Sequence, residues 1–127
     1  MADNTFVNIG GHKVSAGIKY STSEVKTGNV WIDGKPIYRL TVPCTMPSTS
    51  GTVGNTPHGA SNVDKVIKCW GWTSTSDESY FFPIPFAASS SYIQGQANRT
   101  NITLVTNLTN TFGRPVYMTI EYTKTTD

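Results

Sequence analysis

The segment Trp31-Ile32-Asp33-Gly34-Lys35-Pro36-Ile37-Tyr38 constrains this chain more than any other, because little except a hairpin satisfies it. An Asp-Gly pair sits between apolar, β-prone flanks. Glycine enters left-handed backbone without the Cβ clash that other residues meet. Asp33-Gly34 is the signature of a two-residue type I′ turn, which asks for positive φ at both central positions. Pro36 has no N–H to give to a ladder, which places it at a strand start or on a sheet edge. Strands are predicted over 30–32 and 37–42.

The rest of the chain keeps to strand and turn. Residues 1–19 are a glycine-rich lead-in with apolar Phe6, Ile9, Val14 and Ile18, assigned to an N-terminal arm or first strand. Ser21-Thr22-Ser23-Glu24 fits a capping box and a polar turn equally. Residues 43–62 read as a long loop, of the kind that is functional or packed against a neighbour. A strand follows over 63–73, with Val63, Ile67, Cys69 and Gly71 on one face and Trp70 and Trp72 on the other. Its alternation breaks at Lys65-Val66, which signals a bulge or a helical turn. Residues 74–79 are a Ser- and Asp-rich turn. Pro83 and Pro85 put the apolar run 80–86 on an edge. Segments 92–97 and 102–106 alternate as strands around Asn98-Arg99-Thr100, and 107–115 is a loop. Val116, Met118, Ile120 and Tyr122 then recur with period two, the cleanest strand of all. Short strands at intervals of roughly ten residues predict an all-β fold, an antiparallel β-sandwich of jelly-roll-like type. Seven or eight strands make it, in a single domain over 20–127.

Composition closes off several classes of function. At 127 residues there is room for one core, and 37% apolar against 14% charged residues is not a disordered balance. Ser and Thr supply about a quarter of the chain, as suits strands and turns. The net charge of +2 is scattered without a basic run, so no nucleic-acid partner is expected. No stretch of about 18 apolar residues is present, so no membrane insertion is expected. The start of the chain lacks the layout of a signal peptide, which predicts a soluble product of a cytoplasm. Cys44 and Cys69 read as reduced, buried thiols, with a bridge between them left open.

Three motifs in fixed order carry a resemblance: WIDGKPIYR, then Asn55-Thr56-Pro57-His58-Gly59, then Ile120-Glu121-Tyr122-Thr123-Lys124-Thr125-Thr126-Asp127. From about residue 20 onward the chain resembles small structural proteins and fibre-end domains encoded by tailed bacteriophages and prophages. The resemblance implies a virion structural protein, made in the bacterial cytoplasm and carried on the particle. It further implies a tail-fibre or tail-tip adhesin-like domain that binds the host surface, without identifying the receptor; a glycan is expected from the aromatic residues of the chain. A homotrimer in contact with other virion proteins is the implied assembly. Two other roles stay open: a capsid decoration or head-fibre protein, and a small cell-wall or capsule depolymerase.

Side-chain chemistry favours binding over catalysis. His12, His58, Cys44 and Cys69 show none of the close spacing that structural zinc ligands have, so neither a metal nor any cofactor is expected. No serine lies in a nucleophile elbow, and neither cysteine marks a catalytic pair. Glycoside cleavage needs two carboxylates roughly 5–10 Å apart, and the adjacent Asp77 and Glu78 read as solvated turn charges. No enzyme is expected. Sugar-binding sites set aromatic rings beside polar groups. The candidate site is therefore Trp72 and Tyr80, with Asp77, Asn98 and Arg99 as polar partners, on the premise that turns 74–79 and 98–101 share one end of a sandwich. The competing assignment buries Trp70 and Trp72 in the core or a subunit contact.

Overall fold

The computed structural model describes the backbone of residues 6–9 and 12–15 and all of residues 19–127. Gly10, Gly11, Gly17 and Ile18 of the lead-in, and the side chains of Phe6, Ile9 and Val14, lie outside the described residues. Strands β1 (Phe6–Ile9) and β2 (His12–Ser15) pair antiparallel with each other. The sandwich begins with β3 (Val25–Val30), β4 (Pro36–Thr45), β5 (Gly54–Pro57) and β6 (Val63–Ser74). It continues through β7 (Phe81–Ile84), β8 (Phe86–Ala88), β9 (Ser91–Ala97) and β10 (Asn101–Thr106). A 3-10 turn at Thr109–Thr111 leads into β11 (Pro115–Lys124).

Two antiparallel sheets face each other, one ordered β3-β4-β11-β6-β7 and the other β5-β10-β9-β8. The pairings β4–β11 and β5–β10, one in each sheet, wrap the chain as in a jelly roll. From β6 to β10 the chain instead runs as a meander, crossing between sheets at the Ile84-Pro85-Phe86 corner. Both segments beside that corner are sheet edges, as the prolines predicted.

The period-two pattern of β11 explains the core. Val116, Met118, Ile120 and Tyr122 turn inward and are fully buried, flanked by Leu40, Val42 and Cys44 of β4. Ile93, Ile102 and Leu104 meet them from the four-stranded sheet. Met118 threads between two glycines, Gly71 on β6 and Gly95 on β9. Its sulfur lies where a Gly71 Cβ would stand, and its methyl is 2.7 Å from the Cβ position of Gly95. Of the run 80–86, Phe82, Ile84 and Phe86 pack into or against the core, and only Tyr80 and Phe81 stay exposed among its large apolar residues.

Two local expectations change, and two more are resolved. Gly34 has φ +87°, whereas Asp33 is not in the left-handed region. The Gly34 N–H donates to the Trp31 carbonyl and the Trp31 N–H to the Lys35 carbonyl, both at 2.9 Å. That is a three-residue loop with a glycine bulge rather than a two-residue type I′ turn, and it asks positive φ of Gly34 alone, the one residue of the loop without a Cβ. Segment 43–62 is not all loop, since β5 inside it pairs with β10. Ser21 forms a polar turn, its hydroxyl accepting the Ser23 N–H at 3.0 Å, and no helix follows. The irregularity expected at Lys65-Val66 is present as register shifts opposite Glu121, Tyr122 and Lys124.

Candidate functional site: the outer face of the five-stranded sheet

Side chains that point away from the core on β4, β11, β6 and β7 fall into rows across the sheet, because antiparallel register aligns them. Arg39, Glu121 and Lys68 make a charged row. Thr41, Thr119 and Trp70 make the next, and Pro43, Tyr117, Trp72 and Pro83 the one after. The face is thus graded along the strands, from charge through hydroxyl to aromatic. Trp72 is 40% exposed and Tyr117 48%. The Trp72 ring stacks beside Phe81 at 5.7 Å and tilts against Tyr117 at 6.3 Å.

Residues 19–21 cross this face as a strap. The Ser21 carbonyl accepts the Thr41 N–H at 2.9 Å, and the Lys19 carbonyl accepts from Arg39 Nη1 at 3.3 Å. Tyr20 then lies edge-on to Trp70 at 6.3 Å, under the Arg39 guanidinium at 5.9 Å. Arg39 itself is buried and bonds Glu121 Oε2 through Nη2 at 2.7 Å and Nε at 2.8 Å. Pairing of this kind offsets the several kcal/mol that desolvating the two charges costs. The Lys68 ammonium sits 4.5 Å from the Trp70 ring centre, a cation–π distance. Tyr20, Trp70, Trp72 and Tyr117 wall a depression of about 470 Å³ whose floor is Thr41, Gly71 and Thr119. That volume is ample for a small ligand.

The sequence-predicted site does not converge. Trp72, Asp77 and Tyr80 lie toward one end of the sandwich, where turn 75–80 leaves β6. Arg99 lies at the other end, its Nε donating to the Asp64 carbonyl at 2.8 Å. Asp64 and Trp72 are separated by eight residues of β6, about 26 Å of strand. Asn98 shares that far turn, its side-chain oxygen accepting the Thr100 and Asn101 N–H groups. The two hairpins belong to different sheets and turn at opposite ends of the sandwich, and sequence does not say which end each occupies.

Asp77 holds its own turn. Its Oδ1 accepts from the Ser79 hydroxyl at 2.7 Å, the Ser79 N–H at 3.0 Å and the Thr75 hydroxyl at 2.8 Å. The Ser79 bonds, with that of Thr75, lower its pKa to about 2. A catalytic acid needs the opposite shift. Neither tryptophan belongs to the core cluster. Tyr20, Phe81, Thr41, Thr119 and Tyr117 are the neighbours that sequence reasoning missed. Alternation placed Tyr117 and Thr119 outward by default, but only strand register brings them to Trp70 and Trp72.

A second concavity of about 430 Å³ opens beside β4, lined by Glu24, His58, Tyr122 and Lys124 among others. These groups are committed to one another or to the backbone. Glu24 Oε1 accepts from the Tyr122 hydroxyl at 2.6 Å and from Lys124 at 2.8 Å. His58 Nδ1 accepts the Ala60 N–H, so Nε2 carries the proton and donates to the Asn98 carbonyl at 3.0 Å. Among the described residues no three His, Cys, Asp or Glu side chains form a metal-binding group. Cys44 and Cys69 are free thiols, and burial raises both pKa values, that of Cys69 to about 11, which keeps them unreactive. No protein-family model, curated protein or solved structure matches this chain.

Proposed function

We propose that this chain is a virion structural domain of a tailed bacteriophage, of the tail-fibre or tail-tip type, working as a homotrimer. It binds the glycan of a host surface through the outer face of the five-stranded sheet. The observation that carries the binding role is the aromatic depression: four ring side chains around a hydroxyl-bearing floor. Aromatic faces cover the apolar side of a pyranose while nearby polar groups fix its hydroxyls. The virion assignment rests on the three ordered motifs from WIDGKPIYR to IEYTKTTD. Of the residues first singled out, Trp72 lines the depression, whereas Tyr80 lies outside its lining. Asp77 shapes the adjacent turn, and Asn98 and Arg99 have no part in the site.

Trp72→Ala tests the binding role, read on an array of bacterial surface oligosaccharides and by adsorption to host cells. The expected result is lost binding with a nearly unchanged melting temperature, because Trp72 lies outside the core. Undiminished binding would remove the depression from the function. Mass spectrometry of separated heads and tails tests the location, and a head location would favour the decoration role instead. Release of reducing sugar from host wall would replace binding by cleavage.

A further inference from the structure

The floor of the aromatic depression holds a hydrogen-bonding group that the protein leaves half used. Thr41 and Thr119 stand opposite each other on β4 and β11, with their hydroxyls 2.9 Å apart. Thr119 is only 4% exposed, yet it lines the depression. Two hydroxyls bring two protons and four lone pairs. Their mutual bond consumes one proton and one lone pair. Among the described residues neither hydroxyl has another partner, so one donor and three acceptor positions remain for whatever enters. A buried polar group without a purpose here would be replaced at little cost by valine, which has the same shape and suits a strand better.

We propose that the Thr41–Thr119 pair is the polar reader of this site, exchanging hydrogen bonds with one ring hydroxyl of a pyranose held between Tyr20, Trp70, Trp72 and Tyr117. This rests on the glycan-binding reading above and adds the group that selects among sugars. The pair is suited to a hydroxyl because the two threonines rotate together. Whichever one donates inward, the other presents its proton and both present lone pairs. A ligand hydroxyl needs that mixture of donor and acceptor, whereas a carboxylate or an alkyl group would leave the spare proton or the lone pairs unmet. The apolar walls exclude competing water, which strengthens a bond made at the floor.

The test is titration of the intact protein with methyl hexopyranosides and their monodeoxy analogues, followed by the indole N–H signals of Trp70 and Trp72. The native chain should bind at least one hexopyranoside and lose about five- to tenfold in affinity when the inserted hydroxyl is absent. The double substitution Thr41→Val, Thr119→Val removes both hydroxyls together, so no polar atom is stranded and the fold is kept. It should weaken the hydroxylated sugar by the same factor and abolish discrimination against the deoxy analogue. Thr41→Ser, Thr119→Ser keeps the hydroxyls and should keep both affinity and discrimination. Full discrimination by the double valine variant would overturn the role of the pair and leave glycan binding in place. No response of the native chain to any hexopyranoside would overturn the glycan reading, and the role of the pair with it.

Discussion

At the scale of single residues, what this protein tolerates depends on what lies over each backbone position. A Cβ on Gly71 would meet the Met118 sulfur and stand 2.7 Å from the Tyr117 carbonyl oxygen, and a backbone atom in a central strand cannot step aside. A Cβ on Gly95 would meet only side-chain ends, the Met118 methyl at 2.7 Å and the Ile84 Cγ2 at 2.8 Å. Both alanine variants should lose stability in the range of overpacked cores, about 1–3 kcal/mol, with Gly71→Ala the worse. In a double-mutant cycle read by urea unfolding, Met118→Ala should cost less in the Gly95→Ala background than in the native chain, with a smaller difference in the Gly71→Ala background. Charge acts at the same scale. Tyr38 donates to the Asp127 carboxylate at 2.8 Å, and that bond, together with burial, raises its pKa to about 12. Burial first, then its bond to Glu24, raises Tyr122 still further. A tyrosine raised in the folded state stabilises it fully below the unfolded value near 10 and loses that contribution as pH climbs through the folded value. Of the six tyrosines, Tyr38 and Tyr122 should therefore ionise last in an absorbance titration. The stability contributed by the Tyr38–Asp127 contact should fade between about pH 10 and 12, and Tyr38→Phe should flatten that part of the profile.

At the scale of elements, the first feature read from the sequence was right in kind and wrong in detail. Asp33-Gly34 does make a hairpin, but only Gly34 takes positive φ. Gly34→Ala should therefore cost about 1–2 kcal/mol, the penalty of a Cβ in left-handed backbone, while Gly34→Asn should cost less. Asp33→Ala should cost little through φ, and its effect should instead come from the lost bond to the Lys35 N–H at 3.0 Å. A two-residue turn would make Asp33 as sensitive as Gly34, so denaturation midpoints of the three variants separate the geometries. The same limit explains what else was legible. Period two is a local property, so β11, β6 and the inward and outward sets of each could be read directly. Pro83 and Pro85 announced edges because a missing N–H is also local. Strand β5 could not be read, since Gly54-Asn55-Thr56-Pro57 has no apolar alternation and is a strand only through its pairing with β10. The site divided in the same way. Trp72 was visible as an aromatic at the end of a strand, whereas the neighbouring Tyr117, Thr119 and Tyr20 depend on register and on the strap. Asn98 and Arg99 were misplaced because the end of the sandwich each turn occupies is settled by β9 and β10 together.

At the scale of the whole molecule, the question is how copies can associate without covering the aromatic face. Sheet edges are poorly suited to it. Pro83 interrupts donors along β7, Pro57 ends β5, and Pro43 removes a donor from the stretch of β4 that β3 leaves uncovered. Such prolines oppose edge-to-edge pairing. Association through these proline-bearing stretches is disfavoured, and the outer face of the five-stranded sheet offers another surface, with Trp72, Tyr117 and Phe81 exposed on it. Exposed apolar patches of this kind serve either a partner or a ligand. The proposed homotrimer and the proposed glycan site therefore compete for this surface, and one measurement separates them. Light scattering should give about 41 kDa, three times the 13.8 kDa chain. On that trimer, acrylamide should still quench a fluorescence component that vanishes in Trp72→Ala. A trimer in which Trp72 is shielded would make the aromatic face the subunit contact and defeat the binding role. A mass of 13.8 kDa would defeat the trimer and leave the face open to a ligand.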